Sequence, residues 1–219
     1  MRLNKGAQWN ARYSNIGYIC WYIYFEYIIM SFIETIKSRR SPYAFDGQTT
    51  VNLEDIRTAF EAAQWAASAY NAQPWRFIFA ERGSDGFETL KNLAIPWNQN
   101  WLEHTGAIVA ICARTTSEAK GEPDPSAVYC TGLAVGQFSV ELTALGYDMH
   151  QLSAFDAAAM KDQLQLPDFL TPVAMMGIGK GQINDATPAD LIELETSRAT
   201  RTRKDLSELV VRVGEHFSA

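Results

Sequence analysis

The sequence predicts a helix-and-sheet domain of the α/β or α+β class, with helices covering a central sheet. Three observations carry this. Gly106–Ala113 (GAIVAICA) and Pro172–Lys180 (PVAMMGIGK) are continuous apolar runs of strand length, as expected of strands buried on both faces. Trp75–Ala80 (WRFIFA) is a third strand rich in aromatic and β-branched residues. Segments with helical periodicity separate these runs.

In chain order, the first regular helix is Ser31–Arg40 (SFIETIKSRR), with Phe32, Ile33 and Ile36 on one face, Ser31 as N-cap and basic residues at its end. Pro42 forbids its continuation. A second helix over Asn52–Ala69 opens on Asn52 as cap and places Leu53, Ile56, Phe60 and Ala63 in register. Gly86–Ala94 is a short helix. After a polar, Pro-containing loop (Thr115–Pro125), Ala127–Gly146 reads as a long helix, apolar nearly all round, of the kind found at a domain centre or subunit interface. Ala157–Leu166 is a further helix, and Leu206–Gly214 (LSELVVRVG) a final helix or strand.

The 219 residues suit one compact unit, and 47% hydrophobic with 20% charged residues is globular composition. A net charge of −6 argues against nucleic acid as partner. Cys20, Cys112 and Cys130 lack metal spacing and read as free thiols of a reducing cytosol, and His104, His150 and His216 are equally scattered. No metal site is expected. Gly17–Met30 (GYICWYIYFEYIIM) is aromatic and apolar, but Glu26 interrupts it and it is shorter than the roughly 20 residues needed to span a bilayer. No membrane partner is expected. Residues 1–29 are either an extension ahead of a domain spanning 30–219, or an arm that packs on a partner subunit.

The stretch Ala66–Ala80 (AASAYNAQPWRFIFA) runs an Ala-rich helix through amide and hydroxyl side chains directly into a strand. Loops bearing such groups between rigid elements are where binding sites usually sit. Two further sets of side chains suit an anion. Arg39, Arg40 and Ser41 close the first helix, and Arg201 and Arg203 stand two residues apart near the C-terminus. Guanidinium forks match the oxygens of a phosphate monoester, although an exposed basic face would look the same. Asn98, within Pro96–Trp101 (PWNQNW), offers donor and acceptor together, as would a polar loop residue.

Taken in order, SRRSPYAF, AASAYNAQPWRF, PWNQNW and RTRKDLSELV resemble the FMN-dependent nitroreductase family, and the helix and turn GLAVGQFSVELTALGYDMHQLSAFD fits as a fifth block. The resemblance covers the chain from about Met30 onward. It implies an α+β sandwich, a mainly antiparallel sheet flanked by helices, in an intertwined homodimer with FMN at the interface.

It also implies roles. Arg39, Arg40, Ser41, Arg201 and Arg203 would hold the FMN phosphate and ribityl chain. Tyr43 stands where many members carry a third basic residue. Ala67, Ser68, Ala69 and Asn71 would run along the pyrimidine edge of the flavin, where members often have Pro-Ser-Ser in place of Ala67–Ala69. Asn98 would hydrogen-bond the flavin. The backbone near Ser153 and Ala154, often an acidic residue and glycine, would point at flavin N5.

The implied activity is cytoplasmic and NAD(P)H-dependent: ping-pong hydride transfer through FMN to nitroaromatic, quinone or similar small-molecule oxidants, with no catalytic side chain required. Two alternatives accompany it. One is a branch of the family with other flavin chemistry, such as dehalogenation or enal and semialdehyde reduction; the other is a non-catalytic flavin-binding dimer serving as sensor or store.

Overall fold

The computed structural model describes residues 32–214 and 216. The expected domain start near Met30, the Ser31 cap and the apolar stretch Gly17–Met30 lie outside these residues. The chain divides into two compact units, 1–39 and 40–219. The described part of the first is helix α1 (Phe32–Ser38), with an Lys37–Glu34 ion pair at 2.8 Å and Arg39 N–H closing onto Thr35 O.

In the second unit the order is α2 (Leu53–Gln64), β1 (Trp75–Glu81), α3 (Asp85–Leu93), α4 (Pro96–Leu102), β2 (Ala107–Arg114), α5 (Ala127–Ala144), β3 (Asp148–Leu152), α6 (Ala157–Gln163), β4 (Leu170–Gly179) and α7 (Ala189–Ser197). The four strands form one antiparallel sheet in the order β1-β2-β4-β3. The expected α+β sandwich and its three apolar strands are therefore present. The strand β3, the helix α4 where PWNQNW sits, and α7 are additions that periodicity did not mark.

Burial on both faces explains the apolar runs of β2 and β4. Ala107, Val109 and Ile111 face one core with α2 and α5, where Phe138 stacks on Phe60 at 4.7 Å and on Phe77 at 5.7 Å. Ile108 and Ala110 face a second core of Phe87, Leu90, Trp101, Leu102, Met160 and Leu191 from the helices on the other side. β4 bulges opposite Ile111 and Cys112, beside Pro172, which has no N–H to give the ladder.

Gly177 lets α4 close on the sheet. A Cβ there would stand 2.7 Å from Thr105 Cγ2, 2.8 Å from Trp101 Cζ3 and 3.0 Å from Leu102 Cδ2. Gly177→Ala is expected to destabilise the fold by about 1–3 kcal/mol through overpacking. An unchanged urea midpoint would show that α4 yields freely.

Local capping decides the helix boundaries. Asn52 Oδ1 accepts from Glu54 N–H at 2.9 Å, and Tyr147 Oη ties the same end by accepting from Asn52 N–H and donating to Asp55. Helix α2 stops at Gln64, five residues before the sequence-based end, because Ser68 Oγ takes the Gln73 N–H at 3.0 Å in a local turn that competes with helix.

Below the sheet edge, Asp46 organises the 46–49 loop. It accepts from the Gln48 and Thr49 amides at 3.0 and 2.9 Å and from the Thr49 hydroxyl. Burial alone would raise the Asp46 pKa; the Thr49 and Gln48 hydrogen bonds and the nearby Arg82 charge outweigh it and hold the carboxyl below its ordinary value. A folded-state pKa below the unfolded one stabilises the fold above the ordinary value of 3.8, and that contribution is lost as pH falls through the folded pKa. Asp46→Asn is expected to lower stability at neutral pH and to flatten the acid limb below about pH 4. Superimposable acid limbs would contradict this.

Candidate functional site

Of the sequence-predicted site residues, Arg40, Tyr43, Asn98, Ser153 and Ala154 gather at the β3 edge of the sheet. Arg40 is held firmly: Nε lies 3.3 Å from Asp148 Oδ1, Nη1 3.1 Å from Glu195 Oε1, and Nη2 donates to Gly181 O at 2.5 Å. Glu195 also accepts the Tyr43 amide at 2.7 Å, and Asp148 the Gly181 amide at 2.9 Å. Gly181 must be small, since a Cβ would meet Arg40 Nη2 and Pro42 Cγ at 2.7 Å. Arg40 thus pins the 40–44 loop to β3, to Gly181 just after β4 and to α7, and two carboxylates already share its charge.

The Tyr43 ring packs edge-on to Trp97 at 5.1 Å and lies 4.3 Å from the His150 ring. Arg198, capping α7, sets its guanidinium carbon 4.8 Å above the same ring. A cation therefore stands beside position 43 although the residue itself is neutral. Arg201 and Arg203 follow on the same exposed segment, which ends in a capped turn at Leu206–Glu208 instead of the expected helix or strand.

Asn98 and Ala154, 56 residues apart, are brought together. Asn98 is the third residue of α4, which Pro96 opens at a position where a missing N–H costs nothing. Its Nδ2 donates to Ala154 O at 3.2 Å, and its Oδ1 accepts from Trp101 Nε1 at 3.1 Å. The Ile95 amide also donates to Ala154 O, and Asp156 N–H to Leu93 O. The turn after β3 is therefore clamped to the α3–α4 junction while Ser153 and Ala154 remain exposed.

The block Ala67, Ser68, Ala69 and Asn71 lies elsewhere. It precedes β1, and β2 and β4 separate β1 from β3. Three inter-strand steps place the two edges about 14 Å apart. Tyr70, Asn71 and Gln73 have φ of 52°, 55° and 45°. Three left-handed non-glycine residues in four positions are costly, and such strain clusters at ligand clamps. Tyr70 is fully exposed and Trp65 is 86% exposed.

A model of the nitroreductase family matches residues 36–97 and 87–180, well over half of the chain. The chain belongs to the nitroreductase family. A protein named as an NAD(P)H nitroreductase, YdgI of Bacillus subtilis (strain 168), is 35% identical over 82 residues, spanning 37% of this chain and 38% of that protein. The oxygen-insensitive NAD(P)H nitroreductase of Salmonella typhimurium (strain LT2) is 25% identical over 201 residues, spanning 85% of this chain and 89% of that protein. A solved structure described as an oxidoreductase containing FMN superimposes with a TM-score of 0.73 at 27% identity, covering 81% of this chain and 89% of that one.

Within this nitroreductase scaffold, sequence reasoning missed Arg198, Trp101 and His150. The spacing of Arg198, Arg201 and Arg203 was a signal for the first; nothing local marks the other two. Among the described residues, no group of three His, Cys, Asp or Glu side chains stands close enough to hold a metal, and no helix is long and apolar enough to cross a membrane. The donor set suits FMN. Guanidinium groups at Arg198, Arg201 and Arg203 match a phosphate monoester, and the clamped, exposed turn at Ser153–Ala154 offers backbone at a fixed angle to a flat ring.

Proposed function

We propose that this chain is an FMN-dependent NAD(P)H oxidoreductase acting on nitroaromatic, quinone or similar small-molecule acceptors. The observation that carries this reading is the Ser153–Ala154 turn, exposed yet held by two hydrogen bonds to Ala154 O, on the same sheet edge as Tyr43 and the Arg198 guanidinium above its ring. The relative described as an oxidoreductase containing FMN and the NAD(P)H nitroreductase of Salmonella typhimurium support it.

Bound FMN supplies hydride acceptance from NAD(P)H and its delivery to the acceptor. The protein's residues bind, orient and polarise. Arg201 and Arg203 hold the phosphate, with Ser41 contributing from the 40–44 loop. Arg40 keeps the 40–44 loop in shape. The backbone at Ser153 and Ala154 presents its donor where negative charge develops, and because Asn98 fixes the turn in advance little reorganisation is needed. Asn98 retains a second N–H and a second lone pair for the ring edge.

The placement of Ala67–Asn71 on the opposite sheet edge supports a homodimer in which the partner supplies that block. Exposed Val128, Tyr129 and Leu133 on α5, with Trp65 and Tyr70, provide apolar surface for such an interface. The buried thiols of Cys112 and Cys130 fit a reducing, cytoplasmic setting. The test is steady-state oxidation of NADH or NADPH with a nitroaromatic or quinone acceptor. Turnover that saturates in both substrates with parallel double-reciprocal lines is expected. FMN binding without turnover with any acceptor would leave a non-catalytic flavoprotein instead.

A further inference from the structure

A buried chain of contacts joins the 40–43 loop to the turn after β3. His150 Nδ1 lies 2.8 Å from Pro42 O, and because a carbonyl only accepts, that nitrogen carries the proton. The imidazole stacks on the Trp101 indole with centroids 4.7 Å apart and planes at 23°. Trp101 Nε1–H donates to Asn98 Oδ1, and Asn98 Nδ2–H donates to Ala154 O. Trp101 is 0% and Asn98 5% exposed, so water does not replace either partner.

The orientation of the Asn98 amide is forced. An indole nitrogen only donates and the Ala154 carbonyl only accepts; flipping the amide would set N–H against N–H and oxygen against oxygen. The Trp101 N–H therefore selects which way Asn98 faces, and Asn98 selects how the Ala154 peptide is held.

We infer that Trp101 is a positioning residue for the flavin. Its indole N–H orients Asn98 and, through it, the Ala154 turn that faces the ring, while its stack on His150 ties that turn to the loop beside the phosphate. The inference rests on the FMN-binding reading. It assigns to one buried indole the mutual alignment of the two ends of the cofactor site.

Trp101→Phe tests it: an aromatic six-membered ring is kept beside His150, while the fused five-membered ring and its N–H are removed. In flavin-free protein, hydrogen exchange at the Ile95 amide, which shares Ala154 O, is expected to quicken relative to wild type. In the loaded protein, the reduced cofactor should lose about tenfold more affinity than the oxidised one, lowering the two-electron potential by about 30 mV. Asn98→Asp is the second variant: a carboxylate accepts from Trp101 but has no N–H for Ala154 O, and the potential should move the same way. A wild-type potential in Trp101→Phe, even with faster Ile95 exchange, would reduce Trp101 to core packing and overturn the inference. Unchanged Ile95 exchange would overturn it as well. A wild-type chain that takes up no FMN would remove the functional reading and this role together, a failure visible before any variant is made.

Discussion

Replacing Arg201 and Arg203 together by alanine is expected to weaken FMN binding by about 10²–10⁴-fold. Each guanidinium–phosphate interaction is a charge-assisted hydrogen bond contributing about 1.5–3 kcal/mol, and losing two removes about 3–6 kcal/mol. Both side chains are exposed and lie outside the helices and strands, so folding stability should change by no more than about 0.5 kcal/mol. Titration of the quenching of FMN fluorescence, beside a denaturant curve on the flavin-free protein, separates the two effects. Arg40→Ala is the informative contrast. Because Asp148 and Glu195 already share its charge, its loss should show first in stability and in the 40–44 loop, and only secondarily in affinity. Wild-type affinity in the Arg201/Arg203 variant would place the phosphate elsewhere.

Phe138→Ala is expected to cost about 3–5 kcal/mol, the range for deleting a buried aromatic side chain and leaving a cavity. Phe138 is 1% exposed and joins α5 to α2 and the sheet by stacking on Phe60 and Phe77. Against a total stability of about 5–15 kcal/mol, that loss leaves a marginal domain. Urea denaturation should show a midpoint shift at nearly constant slope. Saturating FMN should restore part of the loss by mass action if the cofactor binds the folded form alone. A shift below about 1 kcal/mol would mean that the aromatic cluster collapses to fill the space.

How much of this was legible in the sequence follows from which interactions are local. β2 and β4 announce themselves as apolar runs because both their faces are buried, and β1 by its aromatic and β-branched residues. β3 did not: Asp148-Met-His-Gln-Leu is a five-residue edge strand whose polar residues look like loop. α4 was hidden for a related reason, since Asn98, Gln99 and Asn100 are loop-like residues and Pro96 reads as a breaker until it proves to be the first helical residue. The stretch after Asp205 is apolar enough for a helix or strand, yet the described residues show a single capped turn there with Leu206 and Val210 exposed.

The candidate site divides along the same line. Arg40, Asn98, Ala154 and the C-terminal arginines were recognisable as residue types in family order. Their partners were not. Asp148 and Glu195 around Arg40, Trp101 behind Asn98, and Arg198 over Tyr43 are pairings set by tertiary packing, and Arg40 is 108 and 155 residues from its two carboxylates. Spacing along the chain carries no trace of such distances. The location of Ala67–Asn71 on the far sheet edge is likewise a property of strand order, which no local motif encodes.

The measurement that bears most directly on the central claim is the visible absorption spectrum of the purified protein, repeated after anaerobic addition of NADH or NADPH. The predicted result is an oxidised flavin spectrum that bleaches with one or both nucleotides and returns when a quinone is added. A protein that stays colourless after incubation with FMN would contradict the account.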